Sequence, residues 1–400
     1  MSRPGRPPPA LPLELLNHVV DYLDGDNLSL QNCALTCHAL LWRARGHLFR
    51  EISLRGMLSQ RFARLADANL RIALLVRSVK IYDIELWTLP EKMLRFSLLA
   101  NLRSLIFYRA TFEFLDSLFQ ILDALPALEY LACHDMTAGQ FSDYLGYDTD
   151  GGGHLSGLRP PTPDPRPFCP KLRTLVVKHG YVDQDAFARR FMELGVSEHL
   201  ESLDVSFGAT DRHLHWIPVV RAARGTLQHL SMSVSEERIS HTLRALQQYD
   251  DPYTFVGNAL AGCAVLTSLC LKHRPEASPR EVEPLHFLKA FCELFERPEV
   301  PLPALEQLTL GMVDRDGQMV SAEPHVCTRL ARALLSRTRY PRFRAIVVGV
   351  QSQSYARYNR TWRTRGLVGE QKQELLDRWR AAFADFEGHS GVSLDVNLTL

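Results

Sequence analysis

Cys33 and Cys37 stand four residues apart with His38 beside them, a spacing that sets two thiolates one helical turn apart and could begin a zinc site. Zinc takes four ligands, and no second pair lies nearby in sequence, so both read as helix-core cysteines. Cys263, Cys270 and His273 straddle a strand pattern and read as its core or its surface. Gly151-Gly152-Gly153 leads into a proline-rich stretch, not into a helix whose first amides could hold a phosphate. Asp314-Arg315-Asp316-Gly317 opens like a calcium loop but lacks the later acidic ligands, and reads as a turn. No Gly-x-Ser-x-Gly elbow, His-Glu-x-x-His pair or Walker loop occurs. The residues that could do chemistry thus predict no metal, no cofactor and no catalytic site.

A different chemistry is offered by residues 352–366, where Tyr355, Tyr358 and Trp362 alternate with Arg357, Arg360, Arg363 and Arg365. Aromatics among arginines can stack bases and hold phosphates, a reading that requires binding to weaken steeply with salt. The formal net charge of +1 supplies no long-range field toward nucleic acid or an anionic membrane. The same composition is that of a protein interface hot spot, and contact with a protein is the preferred reading. No run of eighteen apolar residues exists, so no membrane span is expected. The first ten residues hold four prolines and no apolar core of a signal peptide, which predicts a disordered tail over 1–10 and a cytoplasmic or nuclear chain. In that setting the eight scattered cysteines read as reduced, buried thiols.

The elements that must position such residues follow one repeated phrase, apolar-x-x-apolar-x-apolar. It occurs at Val76/Val79/Ile81, Leu102/Leu105/Phe107, Leu128/Leu131/Cys133, Leu172/Leu175/Val177, Leu200/Leu203/Val205, Leu227/Leu230/Met232, Leu266/Leu269/Leu271, Leu305/Leu308/Leu310 and Phe343/Ile346/Val348. The alternation ending each phrase has the period of a strand with one buried face. Helical patterns lie between, over 112–125, 185–194, 241–249, 286–295 and 325–339, with a further helix at 370–386 and a closing strand from Val392 to Leu400. Strand and helix in regular alternation predict an α/β solenoid of parallel strands over 76–400, an irregular leucine-rich-repeat-like array with insertions at 144–170 and 352–366. The first of these insertions, rich in glycine and proline, reads as an exposed mobile loop. The asparagine that usually follows such a phrase is replaced at every copy, by Ala110 and Met136 for example, so the turns must be satisfied by other backbone groups or water. Strand alternation sends Tyr108, Tyr130, His134, Lys178, Asp204, His229 and Lys272 to one open face, which with Tyr355, Tyr358 and Trp362 forms the candidate surface for a protein substrate.

Ahead of the repeats, residues 11–54 carry three short helical patterns, followed by a helical linker over 55–75. Leu11, Leu15, Leu16, Val19, Val20 and Leu23 form the first stripe, which Pro12 can open; Leu28, Leu30, Cys33, Ala34 and Leu35 form the second, and Cys37, Leu40, Leu41, Ala44 and Leu48 the third. Three helices in about forty residues bury too little apolar area to hide such stripes alone.

The blocks Leu11-Pro12-Leu13-Glu14-Leu15-Leu16, Val19-Val20-Asp21-Tyr22-Leu23, Cys33-Ala34-Leu35-Thr36-Cys37 and His47-Leu48-Phe49-Arg50 resemble an F-box, in the variant that opens fungal leucine-rich-repeat proteins. The resemblance spans 11–54, and departs from many F-boxes in having Leu40, with Trp42 two residues on, where a tryptophan follows the Leu-x-Cys block. It implies a non-catalytic substrate-recognition subunit of a ubiquitin ligase, docking the Skp adaptor and through it a cullin. The adaptor would pack on Leu11, Pro12, Leu15, Leu16, Val19, Leu23, Leu30, Cys33, Leu35 and Leu40. The alternative is a repeat scaffold without ligase role, the first helices serving as a cap. A cap would seal Leu11, Leu15 and Val19 against the first repeat; an adaptor site would leave them uncovered.

Overall fold

The computed structural model describes residues 11–83, 95–112, 115–138, 168–181, 184–207, 216–235, 257, 259–274, 285–297, 301–315, 324–356, 361–364, 370–387 and 391–398. Among them α1 (Leu13–Tyr22), α2 (Asn27–Thr36) and α3 (His38–Leu48) come first, then strand β1 (Glu51–Arg55) and helices α4 (Met57–Ala68) and α5 (Leu70–Ala73). The linker expected over 55–75 is therefore two helices. Strands and helices then alternate: β2 (Ser78–Tyr82), β3 (Ser104–Tyr108), β4 (Thr111–Phe112), α6 (Leu115–Asp123), β5 (Tyr130–Ala138), β6 (Thr174–Tyr181), α7 (Gln184–Glu193), β7 (Ser202–Phe207), α8 (Trp216–Ala222), β8 (His229–Ser235) and β9 (Ser268–Arg274). The series ends with α9 (Leu285–Glu296), β10 (Gln307–Arg315), α10 (Pro324–Leu334), β11 (Ala345–Ala356), β12 (Thr361–Thr364), α11 (Glu370–Ala382), α12 (Ala384–Glu387) and β13 (Ser393–Leu398).

All thirteen described strands join one sheet in the order β1-β2-β3-β5-β6-β7-β8-β9-β10-β11, with β4 beside β5 and both β12 and β13 beside β11. Every pairing is parallel except β11 with β12. The second apolar residue of each phrase falls in one register row, from Val79 through Leu105, Leu131, Leu175, Leu203, Leu230, Leu269 and Leu308 to Ile346. All nine are buried in one continuous core, closed on the other side by helix residues such as Phe119, Phe187, Phe191, Trp216, Phe295 and Trp379. Each buried leucine contributes about 1.5–3 kcal/mol by leaving water, which is why the phrase recurs where the helices between vary.

A second regularity lies in the backbone. The carbonyl just before each strand accepts two amides from the next repeat: Arg50 O from Arg77 N at 2.8 Å and Ser78 N at 2.9 Å, and so on, repeat by repeat, to Glu306 O from Arg344 N and Ala345 N. Just past the row of Tyr82, Tyr108 and His134, the residues Asp83 and Arg109 at the ends of β2 and β3, and Asp135 within β5, take positive φ near 50°, and the amides of Asp83 and Arg109 donate to Tyr108 O and His134 O. Thr137 N donates to Ala110 O at 3.0 Å, so backbone groups satisfy this turn where the missing asparagine would stand.

Four expectations change. Residues 51–54, placed with the first module, belong to β1 and pair in parallel with β2, so the sheet starts earlier than Val76. The stretch expected as a loop up to Pro170 ends in the core: Cys169 is buried and its Sγ donates to Leu122 O at 3.3 Å. Residues 352–356 continue β11 and return in β12 as an antiparallel hairpin, with Tyr355 opposite Trp362. Cys37 is exposed at the start of α3, because the chain turns there with extended backbone; Cys33 and Cys270 are half-buried and the other five cysteines buried, all eight being free thiols. The helix expected over 241–249, the tail 1–10, residues 144–167 and Tyr358 lie outside the described residues.

Candidate functional site

The three opening helices have a core of their own, separate from that of the sheet. Val20, Leu30 and Ala44 are fully buried, with Leu23, Cys33, Ala34, Leu40 and Leu48 packed around them. Asp26 caps α2, accepting from Ser29 N at 3.1 Å and Ser29 Oγ at 2.6 Å. Polar contacts tie α1 to α3: Arg43 Nε and Nη2 donate to the two Asp21 oxygens at 2.5 and 2.6 Å, and His47 places Nε2 2.8 Å from Asp21 and Nδ1 3.1 Å from Asp24. The bonds from Arg43 and then His47 hold the Asp21 carboxyl well below the ordinary carboxylate range. Trp42 on α3 lies between Arg45, 5.4 Å from its ring centre, and Arg71 of α5 at 5.5 Å.

This core cannot cover its own helices. Leu11, Leu15 and Val19 remain 60%, 50% and 55% exposed, and Leu35 86%. Leu13, Tyr22 and Leu28, which the sequence reading did not nominate, are exposed with them. Of the large apolar residues exposed among the described residues, seven lie between Leu11 and Leu35 and four between Leu58 and Leu74; only Met192 and Val265 lie in the rest of the chain. Among the described residues the unburied apolar surface is thus concentrated in the opening helices and in α4 and α5, between β1 and β2. No seal beneath the first strands covers Leu11, Leu15 or Val19, as a simple cap would require.

The ten nominated adaptor positions separate by depth. Leu11, Pro12, Leu15, Val19 and Leu35 are exposed, while Leu16, Leu23, Cys33 and Leu40 are half-buried. Leu30 is 1% exposed, so its nomination as a contact is corrected: it supports the helices from inside and presents no surface.

The sheet positions nominated for a substrate share one face. Tyr108, His134 and Lys178 occupy one register row, Tyr130 and His229 a second row four residues earlier along the strands, and Asp204 lies in the row between, while Lys272 continues the first row further along. Tyr82 belongs there too; it follows Ile81 as Tyr108 follows Phe107, so the alternation rule would have found it. Because these side chains stand on adjacent parallel strands in register, the rings stack: Tyr82 on Tyr108 at 4.7 Å and 7°, Tyr108 on His134 at 4.7 Å and 8°. Lys178 Nζ meets Asp204 Oδ2 at 2.6 Å. Burial, and then the nearby Lys178 charge, lowers the His134 imidazole below its ordinary value, and burial raises the Tyr130 phenol. Tyr355 and Trp362 are brought opposite each other on the hairpin.

Nothing here assembles a metal centre: among the described residues no group of three His, Cys, Asp or Glu could hold an ion. No described helix is long and apolar enough to cross a membrane. Burial pushes the Cys169 thiol up to about 12 and Cys263 to about 11, as for inert core thiols.

No family model matches the chain, and no curated protein matches it. Among solved structures it is similar to an internalin, InlF, from Listeria monocytogenes, at 10% identity over 81% of this chain and 68% of that one, with a TM-score of 0.27. A likeness that weak says nothing of function. The architecture is carried by this chain's own strand order and register: a parallel strand-and-helix repeat array.

Proposed function

We propose that the chain is the non-catalytic substrate-recognition subunit of a Skp-cullin-F-box ubiquitin ligase, working in the cytoplasm or nucleus. The opening helices dock the Skp adaptor, and the open sheet face takes a protein substrate. The mechanism is positional: holding a target near a conjugating enzyme raises the effective concentration of the target lysine, and this chain breaks no bond itself. One observation supports the reading most, the apolar surface left uncovered by Leu11, Leu15, Val19 and Leu35 on helices whose own core is complete. A stable docking of this kind buries on the order of 1,600 Å² in total.

The test is co-purification of the full chain with the Skp adaptor. Leu15→Asp with Val19→Asp is expected to abolish it while the thermal transition stays in place. Unchanged co-purification, or none with the native chain, would overturn the ligase role and leave the repeat scaffold.

A further inference from the structure

Between the first two strands of the sheet, β1 and β2, the helices α4 and α5 carry a second apolar surface. Phe62, Ala63 and Ala66 of α4 are buried, as are Ile72 and Ala73 of α5. Leu58 and Leu65, two turns apart on α4, and Leu70 at the start of α5 with Leu74 just past its end, are exposed instead. Arg61 sits one turn from both Leu58 and Leu65, with Arg64 on the same flank. Neither arginine makes an ion pair among the described residues, while the one acid of the two helices, Asp67, stands 4.0 Å from Arg95. Leucines left in water cost free energy, and unpaired guanidiniums present the planar fork that fits a carboxylate.

We infer that α4 and α5 form a docking surface for an acidic amphipathic helix of a protein partner, its leucines or similar residues on Leu58, Leu65, Leu70 and Leu74 and its carboxylates on Arg61 and Arg64. A protein is favoured over an anionic membrane because the chain as a whole is nearly neutral, with a formal charge of +1, and the local excess is three arginines against one aspartate. The inference is separate from the adaptor reading, since α1 and α2 contribute none of these residues.

The test uses the full chain and two fluorescent designed helices, one with leucines at the a and d heptad positions and glutamates on the flanks, the other with lysines in their place. By anisotropy the acidic helix is expected to bind at least about tenfold more tightly than the basic one. Arg61→Glu with Arg64→Glu should reverse that preference, and Leu58→Gln with Leu65→Gln should weaken the acidic helix about fivefold or more, with an unchanged circular-dichroism melt. Leu15→Asp with Val19→Asp should leave the binding intact, which separates failure here from failure of the adaptor reading. Equal binding of both helices, no binding of the acidic one, or binding that survives both double substitutions would overturn the inference. So would sedimentation with phosphatidylserine-containing vesicles that Arg61→Glu with Arg64→Glu abolishes, since the surface would then belong to a membrane.

Discussion

Asp21 on α1 receives both ends of the Arg43 guanidinium fork from α3, at 2.5 and 2.6 Å, and still accepts a third contact from His47 at 2.8 Å. One carboxylate therefore ties the first helix to the third at the edge of a core with only three fully buried residues.

Asp21→Asn is expected to loosen the opening helices without touching the sheet. Because the folded carboxyl is held below its unfolded value, its contribution is complete above the ordinary aspartate value of about 3.9 and is lost as pH falls below it toward the lowered folded value. Hydrogen-exchange protection of residues 13–48, taken relative to the intrinsic rate at each pH, should fall on acidification in the native chain, and the Asn variant should show that lowered protection already at neutral pH. Equal protection of the two at neutral pH would refute this.

A rung of the central core should behave differently. Leu203→Ala removes a fully buried side chain between Leu175 and Leu230 and should cost about 2–5 kcal/mol in denaturant unfolding. Leu35→Ala, at a position in water, should change stability by less than about 0.5 kcal/mol.

The ring stack offers a titration. Tyr108→Ala takes away the ring between Tyr82 and His134, at an expected cost of about 0.5–1.5 kcal/mol, and admits water to the imidazole. His134 should then titrate closer to its ordinary value, upward from its lowered one, as read by NMR. Since the fold favours neutral His134, its contribution is present above the unfolded value of about 6.5 and falls away as pH drops below it. That acid sensitivity should shrink in the variant.

Gly311 leaves room for a neighbouring lysine. A Cβ there would stand 2.7 Å from Lys272 Cγ and 3.1 Å from its Cβ, because the lysine stem lies across the glycine. Gly311→Ala should destabilise the chain by about 1–3 kcal/mol, and adding Lys272→Ala should restore part of the loss by removing the closest atom. Additive effects of the two substitutions in a denaturant cycle would contradict this.

Much of the sheet was legible in the sequence because burial repeats there at a fixed spacing: every second-position residue from Val79 to Ile346 lies at the centre of the core. Strand β1 was hidden by the competing pattern of the opening helices. Phe49, Ile52 and Leu54 repeat the same phrase twenty-seven positions before Val76, and the F-box resemblance had already claimed them. The site was legible less evenly. Leu11, Leu15 and Val19 were nominated from an apolar stripe, but that stripe also holds Val20, and periodicity cannot say which side of a crowded helix turns inward. Arg43 and His47 left no signal at all, since an ion pair between residues twenty or more apart has no sequence period.

The first doubly bonded carbonyl of the sheet is that of Arg50, two residues beyond the end of α3. No slack chain intervenes between the opening helices and the first rung. Whatever grasps those helices from outside also sets the bearing of the whole array, and a pull applied to α3 is felt at β2 without first taking up a tether.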